Sequence, residues 1–407
     1  MEMTDQQEAI MKELKQQITY SNYGDRGLFT TSVGGYAGTG KTTLICELRK
    51  QLSPTKSVAF VTFTGKASSV LKKKLMENNA LFSNDYIGTI HGLIYAPEVK
   101  WDVKLKTFVI TGWKKKDKDD VYNKLIIIDE ASMVSKQIWN DLTYYEKPII
   151  AFGDHGQLPP IGDGGFNIIS DPDYKLTQIH RQAFNSPIIK LSAFIRKEGY
   201  IPEQIYSPEV FKLNWNHPKC QNIWKNKIDF NDENLVTLCG FNTTRANLND
   251  KIRNQIGFKE KAPYPSEKIV CLANNHYAKI MNGQIGKVLW LMPDDDSYRI
   301  TVDIDGEIHE RLVADTCFGQ VQYTIYDKNI KHKKLRYKAS DQGFDTIDFF
   351  DYGYTVSVHK SQGSEWDKVV LFEQRTQRWS DDYYAKWLYT AVTRAKHKLM
   401  VISNAWI

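Results

Sequence analysis

The run Gly35-Tyr36-Ala37-Gly38-Thr39-Gly40-Lys41-Thr42 carries the residue types that bind a polyphosphate, at the spacing G-x-x-x-x-G-K-[ST]. Glycines allow the backbone to curl until several N–H groups face one cluster of oxygens, because no Cβ obstructs the turn. In such a loop Lys41 neutralises the β- and γ-phosphates of ATP, and the Thr42 hydroxyl is a ligand for Mg²⁺. Gly38, Thr39, Gly40 and Thr43 complete the candidate nucleotide contacts. A second constellation is Asp129-Glu130, at the end of the apolar run Ile126-Ile127-Ile128. Asp129 is the candidate partner of Mg²⁺, and Glu130 the candidate base that orients an attacking water. A third, Gly153-Asp154-His155-Gly156-Gln157-Leu158-Pro159-Pro160, follows another apolar run. Its Gln157 is a candidate γ-phosphate sensor, set against the plainer reading of a Gly- and Pro-rich turn.

For these groups to meet, they must hang from one sheet. Strands are predicted at 28–33, 57–62, 124–129 and 148–152, with helices at 41–52 and 66–78 between them. Strands alternating with helices imply a parallel sheet. The apolar runs are continuous rather than alternating, which suits strands buried on both faces. Residues 99–111 do alternate, and the charged run Lys114, Lys115, Lys116, Asp117, Lys118 follows them. A β insertion is therefore expected at about 92–122, with Trp101, Phe108 and Trp113 as candidates for a wedge. Further strands are predicted at 235–239, 368–372 and 398–402. The turn signals Asn282-Gly283 and Asp305-Gly306 mark a second β-rich stretch at about 276–350, which fits a small SH3-like barrel. The expected architecture is α/β: two parallel-sheet domains of RecA-like type, 1–180 and 181–407, each with a small β insertion, pin-like in the first.

At 407 residues, with 25% charged and 42% hydrophobic side chains, the chain has the composition of a folded protein rather than a disordered one. No apolar run reaches membrane-spanning length, and the first 18 residues lack the apolar stretch of a secretion signal. The five cysteines lie outside metal-ligand spacing and read as reduced thiols. A net charge of +6 permits nucleic-acid binding without demanding it. The lysine run and a second one at Lys331, His332, Lys333, Lys334 read first as solvated faces and second as phosphate contacts.

Taken in order, the motifs resemble those of superfamily 1 DNA helicases, in particular the RecD-like and Dda-like group, over residues 4–396. Met3-Thr4-Asp5-Gln6-Gln7-Glu8-Ala9 resembles that family's glutamine motif, which implies that Gln7 reads adenine. Thr62-Phe63-Thr64-Gly65-Lys66 and Thr89-Ile90-His91 are similar to its strand-gripping elements, implying DNA contacts at Thr64, Gly65 and His91. Leu176-Thr177-Gln178-Ile179-His180-Arg181 resembles the motif whose arginine reaches the γ-phosphate. Gly240-Phe241-Asn242-Thr243 stands where the family contacts DNA, implying that role for Asn242 and Thr243. Thr355-Val356-Ser357-Val358-His359-Lys360-Ser361-Gln362-Gly363-Ser364-Glu365 resembles motif five. It implies DNA contacts at His359, Ser361, Gln362 and the neighbouring Trp366, and nucleotide contacts at Gly363 and Glu365. Tyr389-Thr390-Ala391-Val392-Thr393-Arg394 resembles motif six, with Arg394 as a second arginine finger.

The resemblance implies an ATP- and Mg²⁺-dependent motor that moves 5′-to-3′ on single-stranded DNA and opens duplexes, with the nucleotide between its two motor domains. It implies single-stranded and forked duplex DNA as partners, with a single-strand-binding or replisome protein as a further candidate. A monomer in bacterial or phage-infected cytoplasm, serving replication, recombination or repair, is the accompanying expectation. Short insertions and the lack of an extra leading domain point toward a compact phage Dda-type motor rather than a nuclease-complex subunit. The rival expectations are a DNA-stimulated translocase that strips proteins without unwinding, and a nucleotide-dependent regulatory switch.

Overall fold

A computed structural model of the chain describes residues 3–21, 28–102, 107–160, 166–179, 185–273, 275, 278, 280–294, 297–322, 337–340 and 343–404. Arg181 and the Lys331–334 run lie outside them, as do the side chains of Trp101 and Phe108. The chain divides into two compact units: Met1–Pro97, Trp113–Glu198 and Ala385–Thr390 form one, and Glu98–Gly112, Gly199–Tyr384 and Ala391–Ile407 the other.

The first unit opens with α1 (Asp5–Tyr20), which Thr4 starts through a capping box with Gln7. Next come β1 (Thr30–Gly35), α2 (Lys41–Gln51), β2 (Val58–Thr62), α3 (Gly65–Glu77), β3 (Tyr86–Thr89) and α4 (Ile90–Ile94). The strands β4 (Tyr95–Asp102) and β5 (Thr107–Lys115) pair as a two-stranded ribbon at the first expected insertion, and its Glu98–Gly112 part groups with the second unit. After β6 (Leu125–Asp129), α5 (Lys136–Thr143), β7 (Ile149–Gly153) and β8 (Tyr174–Leu176), α6 (Pro187–Glu198) completes the unit's continuous part. Six strands make a parallel sheet in the order β3-β2-β6-β7-β1-β8.

The continuous apolar runs have a direct structural counterpart. In β6, Leu125 and Ile127 pack into the core under α1, α2 and α3, while Ile126 and Ile128 pack into the core on the side of α4 and α5. Val58 and Phe60 of β2 divide from Ala59 and Val61 in the same way. Alternate side chains leave a strand on opposite faces, so a sheet covered on both sides demands apolar residues at every position. Under α2 lies a fully buried ion pair. The Arg49 guanidinium donates to both Asp85 oxygens at 2.9 and 3.1 Å, and the Val58 and Phe82 N–H groups each donate to Asp85 at 3.0 Å. Three lysines of the charged run are engaged within their own unit. Lys115 pairs with Asp141 at 3.1 Å, Lys118 with Glu146 at 2.8 Å, and Lys116 donates to the Gly92 carbonyl at 2.8 Å.

The second unit has β9 (Val210–Asn214), α7 (Pro218–Asn226), β10 (Leu235–Cys239) and α8 (Asn242–Gln255). Its insertion comprises β11 (Lys268–Cys271), β12 (Ile285–Asp294), β13 (Ser297–Ile304), β14 (Glu307–Ala314), β15 (Tyr337–Ser340), β16 (Gly343–Asp348) and β17 (Phe350–Tyr352). The unit closes with β18 (Thr355–Ser357), β19 (Trp366–Phe372), the ends of α9 (Asp381–Val392), whose Ala385–Thr390 belong to the first unit, and β20 (Ala395–Ser403). Five strands form a parallel sheet ordered β18-β10-β19-β20-β9. The insertion is a seven-stranded mixed, near-barrel sheet, ordered β15-β16-β14-β13-β12-β11-β17, and begins earlier in sequence than expected. Its apolar residues Val288, Ile300 and Val302 merge with Leu248, Ile252 and Phe372 in one core, which ties it to the parallel sheet. The cysteines are free and buried, and burial raises the thiols, Cys46, Cys220 and Cys317 to about 11.

Candidate nucleotide and nucleic-acid sites

Strand order decides which loops meet in the first unit. Strands β6, β7 and β1 are neighbours and parallel, so the loops at their C-terminal ends share one edge. Those loops are Asp129-Glu130, the Gly153–Pro160 segment and the glycine loop: the ligand end of a parallel sheet. Gly38 and Gly40 both have left-handed backbone, at φ +80° and +78°. A Cβ on Gly35 would stand 2.6 Å from the Thr39 hydroxyl, so the loop's curl depends on that glycine. Lys41, Thr42 and Thr43 open α2 half-buried, and the Lys41 ammonium donates to the Gly35 carbonyl at 2.6 Å and the Tyr36 carbonyl at 3.3 Å.

Asp129 ends β6, and its Oδ1 accepts the Glu130 N–H at 3.0 Å. Glu130 itself is left-handed at φ +56°. That conformation costs a non-glycine residue on the order of 1–3 kcal/mol, and it is characteristic of functional loops. Gln157 is buried, and among the described residues its side-chain carbonyl oxygen has no hydrogen-bond partner. A buried orphan acceptor of this kind is suited to a water's O–H.

The donor set fits Mg²⁺. Asp129 and Thr42 offer hard oxygens, and among the described residues no cluster of three or more acidic, histidine or cysteine side chains forms a metal cage. Mg²⁺ characteristically takes one or two protein oxygens together with substrate phosphates and water.

Gln7, for which the resemblance implied adenine reading, makes several bonds within the protein. It is fully buried, its amide donates to the carbonyls of Thr39 and Gly40 at 3.2 Å each, and its oxygen accepts the Thr4 N–H. These bonds fix the glycine loop from beneath. Thr64 caps α3, accepting the Ala67 N–H at 3.3 Å, with Gly65 buried behind it. His91 on α4 is half-buried, with Phe63 and Tyr95 rings at 6.1 and 5.4 Å.

In the second unit, Asn242 and Thr243 open α8, exposed, and no side chain caps the helix. His359 is half-buried, 2.7 Å from the Tyr383 hydroxyl, and burial lowers its pKa. Three further residues expected to contact DNA are buried. Ser361 is fully buried with its hydroxyl donating to the Val358 carbonyl at 2.7 Å, and Gln362 and Trp366 are also buried. Gly363 is left-handed at φ +73°, and Glu365 is exposed, 4.0 Å from Lys396. Arg394 is buried, donating to the Ser364 carbonyl and the Thr393 hydroxyl at 3.1 Å each.

Sequence reading gave no role to several residues that the fold draws together. Asp154 and Tyr36 meet Tyr389 and Arg196 in the first unit, and Tyr383 meets His359 in the second. Each partner is remote in sequence, and spacing rules do not reach that far.

Comparison with known proteins is consistent with this geometry. Residues 29–163 match the AAA domain family, and residues 352–402 the UvrD-like helicase C-terminal domain. The ATP-dependent RecD2 DNA helicase of Deinococcus radiodurans is 23% identical over 91% of this chain and 46% of its own length. An uncharacterized protein of Methanocaldococcus jannaschii is 26% identical over 98% of this chain and 37% of its own. This chain thus spans less than half the length of either relative. Among solved structures, the Pif1 helicase from Bacteroides in complex with ADP-AlF3 and ssDNA aligns with a TM-score of 0.56 at 19% identity, covering 100% of this chain and 93% of that one. Pif1 helicase from Candida albicans aligns with a TM-score of 0.52 at 16% identity, covering 99% and 94%. The chain thus carries matches to an AAA domain and to a UvrD-like helicase C-terminal domain, on a fold similar to that of Pif1 helicases.

Proposed function

We propose that this chain is an ATP-dependent DNA helicase that moves along single-stranded DNA, 5′-to-3′, and opens duplex DNA. The observation that carries the reading is the glycine loop of the first unit. Its two left-handed glycines and Lys41 lie at the same sheet edge as the Asp129-Glu130 pair. In this reading the loop amides and Lys41 hold the triphosphate. Thr42 and Asp129 hold Mg²⁺, which supplies charge neutralisation between the β- and γ-phosphates when bound. Glu130 and Gln157 orient the attacking water, Arg394 and Arg181 supply positive charge, and Gln7 keeps the loop in shape.

DNA as the track is supported by the relatives: RecD2 is named a DNA helicase, and the Bacteroides Pif1 complex contains ssDNA. Asn242, Thr243 and His359 are the second unit's contact candidates, because they combine partial or full exposure with positions at the C-terminal ends of β10 and β18. Thr64, Gly65 and His91 play that part in the first unit. The β4–β5 ribbon is the proposed wedge, with Trp113, half exposed at its base, as its aromatic. Separating one base-pair step costs about 1.4 kcal/mol on average, so stepping against a rigid wedge suffices.

The test is ATP turnover with and without single-stranded DNA, paired with unwinding of duplexes carrying a 5′ or a 3′ tail. The proposal expects DNA-stimulated turnover and unwinding of the 5′-tailed substrate. Stimulated turnover with no unwinding of either substrate would reassign the chain as a translocase. Turnover indifferent to DNA would reduce it to a nucleotide switch.

A further inference from the structure

The hydroxyl of Tyr389, on α9, donates to Asp154 Oδ2 at 2.6 Å and accepts the Ala37 N–H at 2.9 Å. Asp154 is fully buried, and its other oxygen accepts the Gly156 N–H at 2.9 Å. Ala37 belongs to the glycine loop and Asp154 to the segment that carries Gln157, so one phenol joins two loops of the nucleotide site. The next residue repeats the connection: the Thr390 hydroxyl accepts the Leu158 N–H at 3.0 Å. Around the phenol the packing is aromatic and cationic. The Arg196 guanidinium lies 3.7 Å over the Tyr36 ring and 5.4 Å over the Tyr389 ring, and the His155 ring is 4.2 Å from that of Tyr36.

We propose that Tyr389 is a positioning residue of the nucleotide site. Through the Ala37 amide it holds the glycine loop in its phosphate-binding shape, and Asp154 anchors its hydroxyl for that task. The proposal rests on the reading of the glycine loop as the ATP site.

Packing alone does not account for a tyrosine here. Phenylalanine would fill the same volume, yet it would leave a buried carboxylate and a loop N–H each short of a partner. A phenol supplies one donor and an acceptor from one atom, which matches the two partners present. Burial, and then the Asp154 charge, push Tyr389 well above its ordinary range, so the O–H remains a donor at working pH.

The experiment compares wild-type chain with Y389F, D154N and the double variant. It measures KM and kcat for ATP with saturating single-stranded DNA, the Kd of a fluorescent ADP, the Kd of a single-stranded oligonucleotide without nucleotide, and the melting temperature. In Y389F the KM and the ADP Kd should rise about tenfold, the scale of one hydrogen bond involving a charged group. Its kcat and oligonucleotide affinity should stay within about threefold, because the residue touches neither substrate nor track. The double variant should be no worse than Y389F, since both changes break one network. Should Y389F not fold, D154N alone carries the same direction of change. Unchanged nucleotide affinity in the variants, an equal loss of oligonucleotide binding, or full additivity would overturn the proposal. A wild-type chain that binds no nucleotide sinks the ATP-site reading and this proposal with it. Normal turnover in the wild type with an unaltered Y389F sinks this proposal alone.

Discussion

The Lys41 ammonium donates to the Gly35 carbonyl oxygen at 2.6 Å, folded back over the glycine loop that it serves. A phosphate oxygen carries more negative charge than a peptide carbonyl, so a bound triphosphate competes successfully for this cation. Replacing Lys41 with Met removes that charge at an unchanged backbone. Turnover should fall by about 10²–10³-fold, as for other preorganised charge stabilisers, with folding intact. Phosphate release and a thermal melt on the same preparation check this.

Gln157→Ala should lower kcat by about 10²-fold with KM nearly unchanged, because the side chain acts on the attacking water rather than on ground-state phosphates. Its buried oxygen, unpartnered among the described residues, is the reason to expect a water there. Single-turnover hydrolysis separates the chemical step from release. A KM effect without a kcat effect would return Gln157 to the plain reading of a turn residue.

Arg394→Ala should reduce turnover by about 10³-fold or more, the lower range for a catalytic arginine. Its guanidinium also holds the Ser364 carbonyl and the Thr393 hydroxyl, so the melting temperature should fall as well. Lysine should not restore activity, because an ammonium cannot reproduce a planar fork of donors. Normal hydrolysis by R394A would leave this side chain a purely structural role.

Asp85→Ala should destabilise the first unit by about 3–5 kcal/mol, because it strands the buried Arg49 guanidinium without its counter-charge. The same change removes the acceptor for the Val58 and Phe82 N–H groups. Denaturant unfolding followed by a probe in that unit measures the loss.

Stability should fall as pH drops below the ordinary histidine value of 6.5, with His155 in the first unit and His359 in the second contributing. Burial lowers both pKa values, so the folded chain stays neutral where the unfolded chain takes up protons. Above 6.5 neither state is protonated there and the stability is fully present; below it the loss grows until the folded pKa is reached. For His155 the nearby Asp154 charge partly offsets the effect. Urea midpoints taken from about pH 7.5 to 5.5 should decline, and H155Q and H359Q should each flatten the decline.

The local geometry of the candidate nucleotide site was legible in the sequence because it depends on neighbours in the chain. A glycine loop needs left-handed backbone at fixed offsets, and a buried parallel strand needs an unbroken apolar run before its carboxylates. Both demands write themselves into consecutive residues, as in 35–42 and 126–130. The two parallel sheets and two β insertions followed from the same local periodicities. Tertiary structure decided what depends on distant partners. It set β7 between β6 and β1, and turned Gln7 onto the loop's underside. It buried Ser361, Gln362 and Trp366, and brought Tyr389 to Asp154 across 235 residues. A side chain's reach and burial are set by what the whole fold packs against it, and residue spacing does not encode that.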